Sequence, residues 1–111
     1  FRSYFLNDEL VFVNEEVTIG NRGNSVNHYY FKGGQLVSFE EKTILMKDDS
    51  LNITSKTMIT LSMILDDRII LQSEYWIGSV QTTVVENDLE KVINHAALLK
   101  ELAEKNRPKK K

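Results

Sequence analysis

Few residues of this chain have the type and spacing to do chemistry. There are two histidines, His28 and His95, and no cysteine. Thiolate metal sites, cysteine nucleophiles and disulfides are therefore excluded. Two histidines without a carboxylate at ligand spacing do not make a metal site, so both are read as structural or surface residues. The acidic doublets Glu15-Glu16 and Glu40-Glu41 could supply paired carboxylates for acid–base work. Within a strand, however, doublet neighbours point to opposite faces, and a third strand separates the two doublets. Asp48-Asp49 and Asp66-Asp67 lack the alternating oxygen ligands and distal glutamate of a calcium loop; turn chemistry accounts for them. Gly20, Gly23, Gly33 and Gly34 open no helix and form no phosphate loop. No serine sits in a nucleophile elbow. The expectation is a chain that is not an enzyme, with no cofactor, no metal and no catalytic residue.

Two short patterns concern modification. Asn52-Ile53-Thr54 fits the N-glycosylation acceptor rule. Asp49-Ser50-Leu51 resembles the short O-glycosylation acceptor of secreted Bacteroidota proteins.

The elements that would position any site are written as repeats. Tyr4-Phe5-Leu6-Asn7-Asp8-Glu9-Leu10-Val11 recurs 26 residues later as Tyr30-Phe31-Lys32-Gly33-Gly34-Gln35-Leu36-Val37, and Glu15 matches Glu41 in the same register. A weaker third copy is Ile64-Leu65-Asp66-Asp67-Arg68-Ile69-Ile70. Each is an apolar run, a polar turn pair and another apolar run, the pattern of a β-hairpin. Strands are expected over about 1–6, 9–19, 26–32, 35–46, 52–65 and 69–85. Sequential strands with short links form an antiparallel meander.

In the third hairpin, odd positions carry the apolar side chains of both strands. We therefore expect an odd loop or bulge at Asp66–Arg68 that puts Leu65 and Ile69 on one side. In the first two hairpins, simple two-residue turns would put Phe5, Leu10, Phe12, Tyr29, Phe31 and Leu36 on one face. Tyr4, Leu6, Val11, Val13, Tyr30, Val37 and Phe39 would lie on the other. Both faces are rich in apolar groups, unlike a sheet with one wet side.

A helix is expected over 87–106. Asn87 suits the N-cap, with Glu90 three residues on. Leu89, Val92, Ile93, Ala96, Leu99 and Ala103 form its apolar stripe, and Pro108 ends it. The fold class is thus mainly β with one C-terminal α-helix: a curved antiparallel meander of about six strands, or a partial barrel, packed by the helix. Residues 1–106 form a single domain, and 107–111 a basic flexible tail.

The net charge is −2. Residues 100–111 carry +4 (Lys100, Lys105, Arg107, Lys109, Lys110 and Lys111 against Glu101 and Glu104), leaving −6 on the first 99. A net-acidic body argues against a nucleic-acid footprint. No apolar run approaches the length of a membrane span. The start at Phe1 is read as a processed or an artificially trimmed N-terminus, two readings of equal standing; membrane association would need the processed terminus or the basic tail.

The hairpin Tyr29-Tyr30-Phe31-Lys32-Gly33-Gly34-Gln35-Leu36-Val37, with its partner at 4–11, resembles the aromatic-aromatic-x-(Asn/Gly)-Gly-x-Leu hairpin of small exported, lipoprotein-like Bacteroidota domains. It also resembles units of the MORN-like hairpin repeats, at a less regular interval. The resemblance covers about residues 1–45. It implies an extracytoplasmic location (periplasmic, cell-surface or secreted) and carries over no functional residues.

The expected function is a non-enzymatic protein-interaction or scaffold domain. Tyr4, Tyr30, Val37 and Phe39 would contact another protein or a second copy of this chain. The alternative is a small apolar-ligand carrier with a pocket between curved sheet and helix.

Overall fold

A computed structural model describes residues 1–48 and 54–107. The acceptor patterns at 49–54, the connection from Asp49 and the tail from Pro108 onward therefore lie wholly or largely outside the described residues. Seven strands run in chain order: β1 (Arg2–Leu6), β2 (Glu9–Ile19), β3 (Gly23–Lys32), β4 (Gln35–Asp48), β5 (Thr54–Asp66), β6 (Ile69–Ile77) and β7 (Val80–Thr82). Helix α1 (Glu86–Lys105) follows. All neighbours pair antiparallel in one open sheet ordered β1 to β7. The sheet is a curved meander, not a closed barrel. The expected sixth strand divides at Gly78 (φ 63°), where β6 turns back into β7.

The three repeats are three copies of one bulged hairpin. Each turns through two residues of positive φ: Asn7-Asp8, Gly33-Gly34 and Asp67-Arg68. These are the backbone angles of a type I′ turn, whose twist matches that of the strands. Only glycine adopts them without penalty from a Cβ, as in the second hairpin. Each hairpin then slips by one residue at the same place. Tyr4 pairs with Phe12 but Phe5 with Leu10, leaving Val11 extra. Likewise Val37 is extra in the second hairpin and Leu71 in the third.

The slip corrects the expected faces. An extra residue reverses the side on which every later side chain falls. Phe12 therefore lies opposite Phe5 and Leu10, while Val13 and Phe39 join the core with Tyr29 and Phe31. The third-hairpin expectation is corrected too. The turn is Asp67-Arg68 and Leu65 pairs with Ile70, so Ile69 faces outward at 64% exposure. The bulge does bring Leu61 opposite Tyr75, as the alternation of apolar residues required, but at Leu71 rather than in the loop.

The helix lies on the face that carries this core. Val92, Ala96, Leu99 and Ala103 are buried, Leu89 is packed against the core, and Ile93 is half-buried. Its start is corrected from Asn87 to an N-cap at Val85, whose N–H donates to Asp88 Oδ2 at 3.0 Å. Val84 packs against the core. That anchor fixes where the chain leaves the sheet, two residues before the better capping side chain. Arg107, placed in the expected tail, is docked: its guanidinium lies 4.5 Å from the centre of the Phe5 ring and donates to the Asp8 carbonyl.

Gly23 marks a close approach of β3 and β4. A Cβ there would sit 1.9 Å from the Ile44 carbonyl oxygen. Gly23→Ala must push the two backbones apart, and its expected cost is about 1–3 kcal/mol. Urea denaturation checks this; an unchanged midpoint would mean that the strands separate freely there.

Candidate functional site

The helix-covered face carries a polar seam and an apolar groove. The seam starts at Glu15 on β2, opposite Asn27 on β3, which is opposite Glu41 on β4. The two carboxylates thus flank one strand, as the sequence pattern indicated, and Glu40 points to the other face. His95 Nε2 and Glu15 Oε2 are 2.7 Å apart. Asn27 Nδ2 and the Tyr29 hydroxyl donate to the other Glu15 oxygen at 3.2 and 3.4 Å. Burial, then the Glu15 carboxylate, push the Tyr29 phenol far above its usual range. It stays protonated and remains a donor.

Beyond Asn27 the seam passes to hydroxyls. Thr43 Oγ1 donates to Glu41 Oε2 at 2.7 Å, and Ser25 Oγ lies 2.8 Å from Thr43 Oγ1 and 3.2 Å from Asn27 Oδ1. Each hydroxyl has one proton. Thr43 gives its proton to Glu41, so Ser25 is the donor to Thr43 or Asn27. The seam therefore orients the imidazole and satisfies polar groups beneath the helix, and its hydroxyls are engaged within it. Among the described residues, no three His, Cys, Asp or Glu side chains are grouped to hold a metal ion. The pairing of His95 with Glu15 spans 80 residues. Its one trace in the sequence was the repeat register shared by Glu15 and Glu41.

The groove lies between the helix and the tips of the second and third hairpins. Its volume is about 790 Å³. The apolar lining comes from Phe31 and Leu36, Leu65, and Ile93, Ala96 and Ala97 of the helix. Phe31 and Leu65 hold equivalent places in their hairpins, on the core side of the bulge. Charged side chains form the lip. Lys100 Nζ donates to the Gly34 carbonyl at 2.9 Å, tying the helix to the second turn. Lys105 pairs with Glu101 at 3.9 Å and Arg107 with Glu104 at 3.4 Å. Asp67 and Arg68 of the third turn complete the lip.

Among the described residues, no helix covers the opposite face of the sheet. Tyr4, Phe12 and Tyr30 form a row across three strands, with ring centres 5.5 and 5.0 Å apart, and the His28 ring lies tilted against Phe12 at 5.4 Å. The Tyr30 hydroxyl donates to Glu40 at 2.9 Å. Of the four residues expected at an interface, Tyr4 (47% exposed) and Tyr30 share this face. Val37 is the bulge residue. Phe39 is corrected to the core, 3% exposed beneath the helix, because the bulge reverses its side.

No helix among the described residues is long and apolar enough to cross a membrane. No family model, curated protein or solved structure matches this chain.

Proposed function

We propose that this chain is an exported, non-enzymatic binding domain that seats an apolar ligand between its helix and its curved sheet. The observation that carries this reading is the groove of about 790 Å³ floored by Phe31, Leu36, Leu65 and Ile93. Ligand sites typically measure about 300–1,000 Å³ and combine apolar walls with a few polar groups. Export rests on the likeness of the glycine-turn hairpin to those of exported domains.

The test uses Nile red, an uncharged apolar dye. The parent chain should bind it saturably at one site. Ala97 is exposed on the helix and lines the groove, so Ala97→Trp fills the seat without entering the core. Dye affinity should fall by about tenfold or more, as loss of one well-buried apolar contact implies. Binding that survives Ala97→Trp would put the dye elsewhere.

A second reading, docking of another protein, is favoured by the half-exposed row Tyr4–Phe12–Tyr30. Tyrosine rings suit interfaces, since they bury area while their hydroxyls stay hydrated in the free state.

A further inference from the structure

Arg68 is not explained by the turn that holds it. In the three equivalent turns the second left-handed position is Asp8, Gly34 or Arg68, at φ of 69°, 80° and 70°. Glycine takes this conformation freely, and aspartate tolerates it because its short side chain can bond nearby backbone. Arginine has neither advantage. A side chain held in an unfavourable backbone region points to a role outside the turn.

The surroundings of Arg68 supply that role. It stands on the lip of the apolar groove. Lys100 is bonded to the Gly34 carbonyl and Lys105 faces Glu101. Glu104 and Glu101 are each paired with a cation. Among the described residues, Arg68 has no ion pair or hydrogen bond and is the cation on this lip without a protein partner. Asp66 and Asp67 beside it leave the tip with a formal charge of −1, so the tip offers an anion no long-range attraction. Recognition here therefore depends on the short-range fork of the guanidinium, which matches a carboxylate in two parallel bonds.

We propose that the groove takes a free long-chain monocarboxylate, with its chain on Phe31, Leu36, Leu65 and Ile93 and its carboxylate on Arg68. This rests on the groove being the ligand seat. It adds the chemical class of the ligand and the residue that reads its head.

The experiment is displacement of bound Nile red by dodecanoate and by dodecan-1-ol, in the parent and in Arg68→Gly. Glycine suits the turn, so the variant should melt no lower than the parent, and folding does not obscure the result. The dodecanoate constant should weaken by about tenfold or more, the usual effect of losing a charge-assisted bond. The dodecan-1-ol constant should stay within about twofold. Equal behaviour of the two ligands toward Arg68→Gly would overturn the assignment of the head group while leaving the groove as the seat. If the parent binds neither dye nor either ligand, the groove reading itself falls.

Discussion

Phe39→Ala should destabilise the domain by about 3–5 kcal/mol, the usual loss for a large ring removed from a core. Phe39 is 3% exposed, and its ring lies 5.0 Å from that of Tyr29. Tyr29 in turn touches His95 of the helix at 6.2 Å between ring centres. The side chain therefore sits where the sheet, the helix and the polar seam meet. The cross-strand neighbours cannot readily fill the space, because Tyr29 and Met63 on either side, and Val13 beyond Tyr29, are already buried. The matching experiment is Tyr30→Ala, one position along the same strand pair but on the uncovered face. It loses a tilted contact with Phe12 and a bond to an exposed carboxylate, together about 1 kcal/mol. Guanidinium denaturation of both variants separates the faces. Similar losses would mean that the bulge at Val37 does not set the side on which Phe39 falls. Self-association, measured by sedimentation, should be unchanged in Phe39→Ala wherever the variant remains folded.

The hairpins and the helix were legible because their signals are local. Turn residues lie between apolar runs, and the helix stripe keeps its spacing from Leu89 to Ala103. The bulges leave a subtler mark. A strand buries every second residue, yet the core here takes Leu10 and Val13, and Leu36 and Phe39, three apart. Such spacing in a strand signals one extra residue between them, and the repeat shows it twice. Reading the turns as simple hairpins therefore exchanged Phe12 with Val13 and put Phe39 on the wrong side. The third turn differs from the expectation for a related reason. Alternation in Leu61, Met63 and Leu65 demanded an odd offset, and the loop was the nearest place to put it, whereas the structure puts it at Leu71.

The candidate site was less legible, because it is assembled across the chain. Glu15 meets His95, and Lys100 meets Gly34, only after the helix folds back over the sheet. No local pattern encodes where that helix lies. The groove follows from the same placement. Its walls are ordinary core residues whose cover stops short of the hairpin tips, so composition alone cannot separate a wall from a core. In the sequence Arg68 is a loop residue like any other; its isolation on the lip is a property of its neighbours rather than of its sequence.

Leu99→Ala should cost about 2–5 kcal/mol, with the upper part of that range expected. The reason is the company it keeps. Leu99 is 2% exposed, and the buried helix positions one turn to either side are Ala96 and Ala103. Alanines let the helix approach the sheet closely, and Leu99 is the large side chain that fills the space between them. Truncation leaves a void that neither alanine can reach to fill, so the cavity contribution adds to the lost transfer energy. The neighbouring Leu98 is 49% exposed and makes the control: Leu98→Ala should change stability by under about 0.5 kcal/mol. The helix is also held by bonds that the substitution does not touch, from His95 to Glu15 and from Lys100 to Gly34. Far-ultraviolet circular dichroism in the absence of denaturant should therefore stay that of the parent, with the loss visible in the denaturation midpoint. A loss under about 0.5 kcal/mol in Leu99→Ala, equal to that of the surface control, would show that the helix does not pack on the sheet through this face.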